Sequence, residues 1–315
     1  MNFSTVTAAD GANYAEALAM SLYFFDANEC GTEVDDNCLT WRGNCHTYDA
    51  EASLDSAANL SSSEKAMIKE ANGGSNTVDV SGGYHDAGDH IKFNVTMGFA
   101  ASSLAMSYYM NPGAYEKANC EGHFREVLKK TCDYLMKTTY LDNSGNVYAV
   151  CATVANSADH DVTWEPPEKQ TYDRPTYWLT ASYNNSVTTA TMASALAGTA
   201  YVFKDVDAEY SAKCMKYSKA LYDFAKKYPD MQDTTSGLYR LTDTYIDDLA
   251  LAEVWFYING EGSLPTYKPT ANGCYNGQYY DYHLYCWDKV WSGYATLMYY
   301  ITCLLYTSPS PRDCS

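Results

Sequence analysis

The sequence predicts an all-α fold. Apolar residues recur at helical spacing in a succession of segments, and small residues crowd into two of these. Beyond short pieces such as 147–150, no stretch reads as a convincing strand.

The first helix is marked by Tyr14, Leu18, Leu22 and Phe25, whose spacings of four, four and three make one apolar face. A second, over about 94–110, is rich in small residues (Gly98, Ala100, Ala101, Ser102, Ser103). The third, about 121–138, carries Phe124, Val127, Leu128, Cys132, Leu135 and Met136. In the fourth, about 186–204, Ala190, Ala193, Ala195 and Ala197 permit close helix contact. Tyr210, Cys214, Tyr217, Leu221 and Phe224 define the next, about 208–228, and two more follow at about 246–258 and 284–302. Long polar stretches separate them, at 28–92, 139–185, 229–245 and 259–283. Loops of that length in a compact domain are usually functional. The pattern implies helical hairpins that hold long loops on one face.

A chain of 315 residues can be one large domain or two small ones and can bury a sizeable core. Its net charge of −18 repels nucleic-acid backbones and anionic membranes, which excludes both as expected partners. A neutral polymer is not repelled. The 31 tyrosines combine a stacking face with a hydroxyl, which suits polar ring-shaped ligands as well as half-buried packing. No run approaches membrane-spanning length, and the first ten residues lack the basic and apolar segments of a signal peptide.

Eleven cysteines are many for a reducing compartment, yet they show no zinc-type spacing. Cys30, Cys38 and Cys45 sit close enough in sequence for a local disulfide if the protein is exported, with free buried thiols as the alternative. Residues 303–315, with Pro309 and Pro311, interrupt an amphipathic helix and resemble adapter read-through. The expected organisation is therefore one domain over 1–302 and a foreign-looking tail over 303–315.

The most informative stretch is 78–93, where Asp86 and Asp89 stand three positions apart among Gly82, Gly83 and Gly88, flanked by His85, His90 and Lys92. Carboxylates this close shift each other's pKa unless a cation, water or donors share the load. Glycines let the backbone approach a ligand. Spacing alone leaves open a turn that caps the helix near Asn94.

In order along the chain, Asn13-Tyr-Ala-Glu-Ala-Leu18, Trp41-Arg-Gly43 and Gly82-Gly-Tyr-His-Asp-Ala-Gly-Asp-His-Ile-Lys-Phe93 resemble glycoside hydrolase family 9, the inverting cellulases. So do Asp159-His160, Trp164-Glu-Pro-Pro-Glu168, Arg174-Pro175, Tyr245-Ile-Asp-Asp-Leu249 and Cys286-Trp-Asp-Lys289. The resemblance implies an (α/α)6 barrel and hydrolysis of internal β-1,4-glucosidic bonds by an endo-β-1,4-glucanase, with inversion. Inversion needs one carboxylate to activate water and one acid to protonate the leaving oxygen. By resemblance, Asp89 is the catalytic base and Asp86 helps to orient the same water. Tyr84, Lys92, His160, Trp164 and Arg174 are the expected substrate contacts, with bracing of the substrate loop as the alternative role for Arg174, although the His160-to-Trp164 spacing is one residue longer than usual. Trp255, Trp287 and Trp291 lie on predicted helices and read as core.

Asp243, Asp247, Asp248 and Asp288 match positions near a structural calcium site of the family, with no organic cofactor expected. Calcium favours several oxygen ligands. Asp243-Thr244 replaces the more usual Ser-Gly, and capping of the helix near 249 is the alternative role for Asp247 and Asp248. The family's acid, a Glu in an Asn-Glu segment, is missing before the tail, and neither Glu253 nor Glu261 has that context. A C-terminally truncated and inactive catalytic domain, monomeric and from an extracellular parent, is the expectation. A non-catalytic glucan-binding protein on the same fold is the alternative, and a polysaccharide lyase a third reading, for which the acidic chain offers little basic surface.

Overall fold

A computed structural model describes residues 13–162, 164–239, 244–267, 274–275, 278–279 and 285–306. The expected helices form as α1 (Tyr14–Asn28), α3 (Asn94–Met110), α5 (Glu121–Lys137), α7 (Ser186–Phe203), α8 (Ala208–Lys227), α9 (Ile246–Ile258) and α10 (Trp291–Tyr306). The last starts later than its sequence pattern suggests and continues through residue 303. Two further helices interrupt the long polar stretches, α2 (Ser62–Ala71) and α6 (Ser157–Val162), and a short α4 (Pro112–Lys117) links α3 to α5.

Side-chain caps fix several starts, since the first amide groups of a helix have no partner within it. The Asn13 carboxamide accepts from Glu16 N, Asn185 from Thr188 N and Asp207 from Tyr210 N. Ser61 and Glu64 form a reciprocal capping box on α2.

Helix α7 is buried along almost its whole length and packs between α3 and α9. Its small residues make this possible. A Cβ at Gly198 would lie 2.8 Å from Ala105 of α3 and 3.2 Å from the Trp255 ring of α9. The amphipathic helices α5 and α8 cover this inner row, α1 packs on α5, and α10 on α9. This layering is that of the expected helical toroid. One expected face shifts: α1 buries Ala15, Ala19, Leu22 and Asp26, whereas Tyr14 is exposed.

The expectation of no substantial strand is corrected. Besides the short antiparallel pair β1 (Ala52–Ser53) and β2 (Thr77–Val78), β5 (Val147–Val154) is eight residues long and pairs antiparallel with β3 (Lys92–Phe93), β4 (Thr139–Leu141) and β6 (Thr176–Thr180). It is buried on both faces, so its sequence shows no alternation of apolar and polar residues. The sheet places the functional loops. Val154 pairs with both Lys92 and Thr176, so the loop ending at 91 and the loop 155–175 emerge at the same end of the sheet. Among the described residues, no helix is long and apolar enough to cross a membrane.

Candidate active site

Loop 79–91 owes its path to backbone that only glycine adopts readily. Gly82 and Gly83 both have positive φ, and a Cβ at Gly83 would meet the Tyr134 ring at 2.8 Å. The turn then presents Asp86 and Asp89 from one side, pinned by Asp86 N donating to Ile91 O.

The two carboxylates are held differently. Asp86 accepts from Thr96 Oγ1 at 2.6 Å and from the Tyr239 hydroxyl through its other oxygen. Burial raises its pKa, opposed by these two donors and reinforced by the charge of Asp89. Asp89 accepts at Oδ2 from His160 Nδ1 at 2.8 Å, while its Oδ1 is buried and has no hydrogen-bond partner. A carboxylate with one oxygen held and one free is arranged to take a proton from a small donor such as water.

Trp164 covers the turn. Its ring lies against Gly88, where a Cβ would sit 2.5 Å away, and its Nε1 donates to His160 O at 3.2 Å. With the residue 66% exposed, the indole offers an open apolar face beside the carboxylates, as the expected platform role requires. His160 contacts both this ring, at 6.0 Å between centroids, and Asp89.

The other expected substrate contacts are corrected. Lys92 is 0% exposed and lies 2.8 Å from Asp49 Oδ2, its ammonium also donating to Val80 O and Gly82 O. Tyr84 is buried edge-to-face against Phe25. Arg174 is buried in ion pairs with Asp49 and Asp159 and braces the loop instead of lining the cleft. The two cations are held by buried acidic partners, and the Tyr84 ring is packed in the interior. Arg42 acts similarly, joining Glu168 at 2.8 Å. Of the expected core tryptophans, Trp255 and Trp291 are buried, but Trp287 is only half-buried, against the Tyr239 ring. Sequence reasoning missed Thr96 and Tyr239, which carry no motif and meet Asp86 only in the fold.

Asp247 and Asp248 lie in the first turn of α9, both buried, while Tyr245 occupies the cap position. Asp248 accepts from Thr191 and Asp247 from Val290 N, leaving Asp248 Oδ2 and Asp247 Oδ1 without partners. Burial lifts both carboxyls above the ordinary carboxylate range, with the charge of Asp247 adding repulsion to Asp248 and that of Asp288 to both. Two orphaned carboxylate oxygens fit a hard cation. Asp243 lies outside the described residues.

A second donor set was absent from the sequence reading. Cys30, Cys45, His46 and His85 are all buried, and one ligand atom from each lies within 4.8 Å of the others. Two thiols and two imidazoles suit tetrahedral zinc. The Cys45 thiol falls to about 7, chiefly through its hydrogen bond with Cys30, and burial holds His85 neutral. Spacing hid this set because its members come from three separate turns. No local disulfide forms among Cys30, Cys38 and Cys45, which are free thiols; Cys38 is exposed and donates to Asp26.

The family model for glycosyl hydrolase family 9 matches residues 14–311. Endoglucanase A of Bacillus pumilus is 29% identical over 250 residues, covering 78% of this chain and 34% of that protein. Endoglucanase B of Cellulomonas fimi is 32% identical over 249 residues, covering 78% of this chain and 21% of its own length. The catalytic domain of CelT from Clostridium thermocellum superposes with a TM-score of 0.80 at 34% identity, covering 95% of this chain and 62% of that one. The cellulase Cel9M of C. cellulolyticum, solved with cellobiose, gives a TM-score of 0.75 at 28% identity, covering 94% and 63%. The chain thus spans 21–34% of the length of the two endoglucanases and 62–63% of the two solved structures.

Proposed function

The chain belongs to glycosyl hydrolase family 9, and on that premise we propose that its complete protein hydrolyses internal β-1,4-glucosidic bonds with inversion, Asp89 acting as base. One observation carries this reading: Asp89 Oδ1 is buried and unpartnered while Oδ2 is fixed by His160. A water held there would lose its proton to Asp89 as it attacks the anomeric carbon. Asp86, fixed by Thr96 and Tyr239, would orient that water without itself taking the proton. Trp164 would stack on a glucosyl ring, consistent with a structural relative solved with cellobiose.

The leaving oxygen also needs an acid, and among the described residues neither Glu253 nor Glu261 is available for that role. Glu253 is engaged by the Tyr222 and Tyr267 hydroxyls, and Glu261 pairs with Lys219. The chain alone is therefore expected to bind glucan and to be nearly inactive. Asp247, Asp248 and Asp288 would hold a structural calcium, which contributes charge neutralisation and no catalytic step. An extracellular, monomeric protein fits a polymeric glucan substrate.

The alternative, a glucan-binding protein, explains Trp164 but not a base-like Asp89 with a free buried oxygen. The test is hydrolysis of carboxymethylcellulose by this chain and by a form extended with the downstream sequence. Activity confined to the extended form supports the proposal; comparable activity in both sinks the missing-acid claim.

A further inference from the structure

Gln170 is 3% exposed and lies between the Cys30–Cys45–His46–His85 cluster and the catalytic turn. Its Oε1 is 2.5 Å from His46 Nε2 and 3.1 Å from His90 Nδ1, and its Nε2 is 2.9 Å from Asp159 Oδ1. Asp159 is also paired with Arg174 Nη1 at 3.1 Å.

These contacts fix the amide in one orientation. A carboxylate only accepts, so the amide NH₂ faces Asp159 and Oε1 faces the two imidazoles. Each imidazole must then donate. His46 carries its proton on Nε2 and keeps the Nδ1 lone pair, which lies 3.0 Å from His85 Nε2 and 3.7 Å from Cys30 Sγ. That is the tautomer a metal-ligating histidine needs, with its second nitrogen bound to an oxygen acceptor. The same amide grips both ends of the base–histidine contact. Asp159 precedes His160, and His90 follows Asp89. His46 and His90 both sit at positive φ, +47° and +61°, strained backbone that persists only where the surroundings over-determine it.

We propose that Gln170 is a positioning residue that sets the His46 tautomer for zinc in the four-residue cluster and couples zinc occupancy to the loop carrying His160. His46, Cys30, Cys45 and His85 would hold the metal, and a His46 so fixed would hold Gln170, which holds Asp159 and His90. Gln170 itself touches no substrate. The coupling does not depend on whether the protein cleaves glucan, so its test reads metal affinity and loop protection.

The experiment titrates zinc chloride against a competing chromophoric chelator and follows hydrogen exchange across 157–174 with and without the metal. In the wild type, stoichiometric zinc binding with slowed exchange in this segment is expected. Gln170→Leu should weaken zinc affinity by about 10–100-fold, the usual cost of losing an outer hydrogen-bond partner, and abolish the zinc-dependent protection. Gln170→Glu keeps an acceptor for His46 but places a carboxylate against Asp159. It should keep most of the zinc affinity while losing the protection. Circular dichroism checks that each variant folds, and the wild-type arm stands without them. Absence of zinc binding, zinc binding without altered exchange in 157–174, or unchanged affinity in Gln170→Leu would each overturn the proposal.

Discussion

His160 Nδ1 meets Asp89 Oδ2 at 2.8 Å, and this contact raises the imidazole pKa above its ordinary value. A histidine whose folded pKa is raised contributes stability that is complete below the unfolded value, about 6.5, and is lost as pH rises through the folded value. Nuclear magnetic resonance should therefore find His160 titrating above the free-histidine value, and Asp89→Asn should bring it back down. An unchanged His160 titration in the variant would mean that the contact does not form.

Removing the Tyr239 hydroxyl leaves a carboxylate oxygen of the half-buried Asp86 without its donor. Tyr239→Phe is expected to cost about 1–3 kcal/mol in denaturant unfolding. A variant as stable as the wild type would show that water replaces the hydroxyl.

Gly88 has no room for a side chain beneath Trp164. Gly88→Ala should displace the indole and weaken cello-oligosaccharide binding, measured by calorimetry, by roughly tenfold, about 1.4 kcal/mol. Trp164→Ala should lose a similar amount. Undiminished affinity in both variants would remove Trp164 from the binding surface.

Lys92 separates stability from recognition. Lys92→Met breaks a buried ion pair with Asp49 and is expected to destabilise by about 3–5 kcal/mol. Cello-oligosaccharide affinity of the folded fraction should be unchanged. A selective loss of affinity at wild-type stability would restore Lys92 as a substrate contact.

Calcium should raise the melting temperature through Asp247 and Asp248, whose orphaned oxygens would ligate it. At 100 times its dissociation constant the gain is about 2.7 kcal/mol, and Asp247→Asn should remove it. No calcium-dependent shift in the wild type would leave these carboxylates as a buried strained pair.

The sequence made the inner and outer helices legible because α5 and α8 carry one apolar face, while α7 carries the alanines and the glycine that close packing needs. It hid β5, since a strand buried on both faces looks like any apolar run. Asp86 and Asp89 stood out through their spacing, but their neighbours Tyr84 and Lys92 were misread because adjacency along the chain says nothing about which way a side chain points. The partners that define the two carboxylates were illegible for a related reason. Tyr239 lies 153 positions from Asp86 and His160 71 positions from Asp89, so only the fold brings them together: the shared end of the sheet carries His160, and ring packing on Phe93 carries Tyr239. The zinc-type set was hidden in the same way.

The most direct measurement is carboxymethylcellulose hydrolysis by the form extended with the downstream sequence, with and without Asp89→Asn. Loss of a general base should lower kcat by about 10²–10⁴-fold with cello-oligosaccharide binding retained. A variant that keeps its rate within a few-fold of the wild type would contradict the assignment of Asp89 as the base.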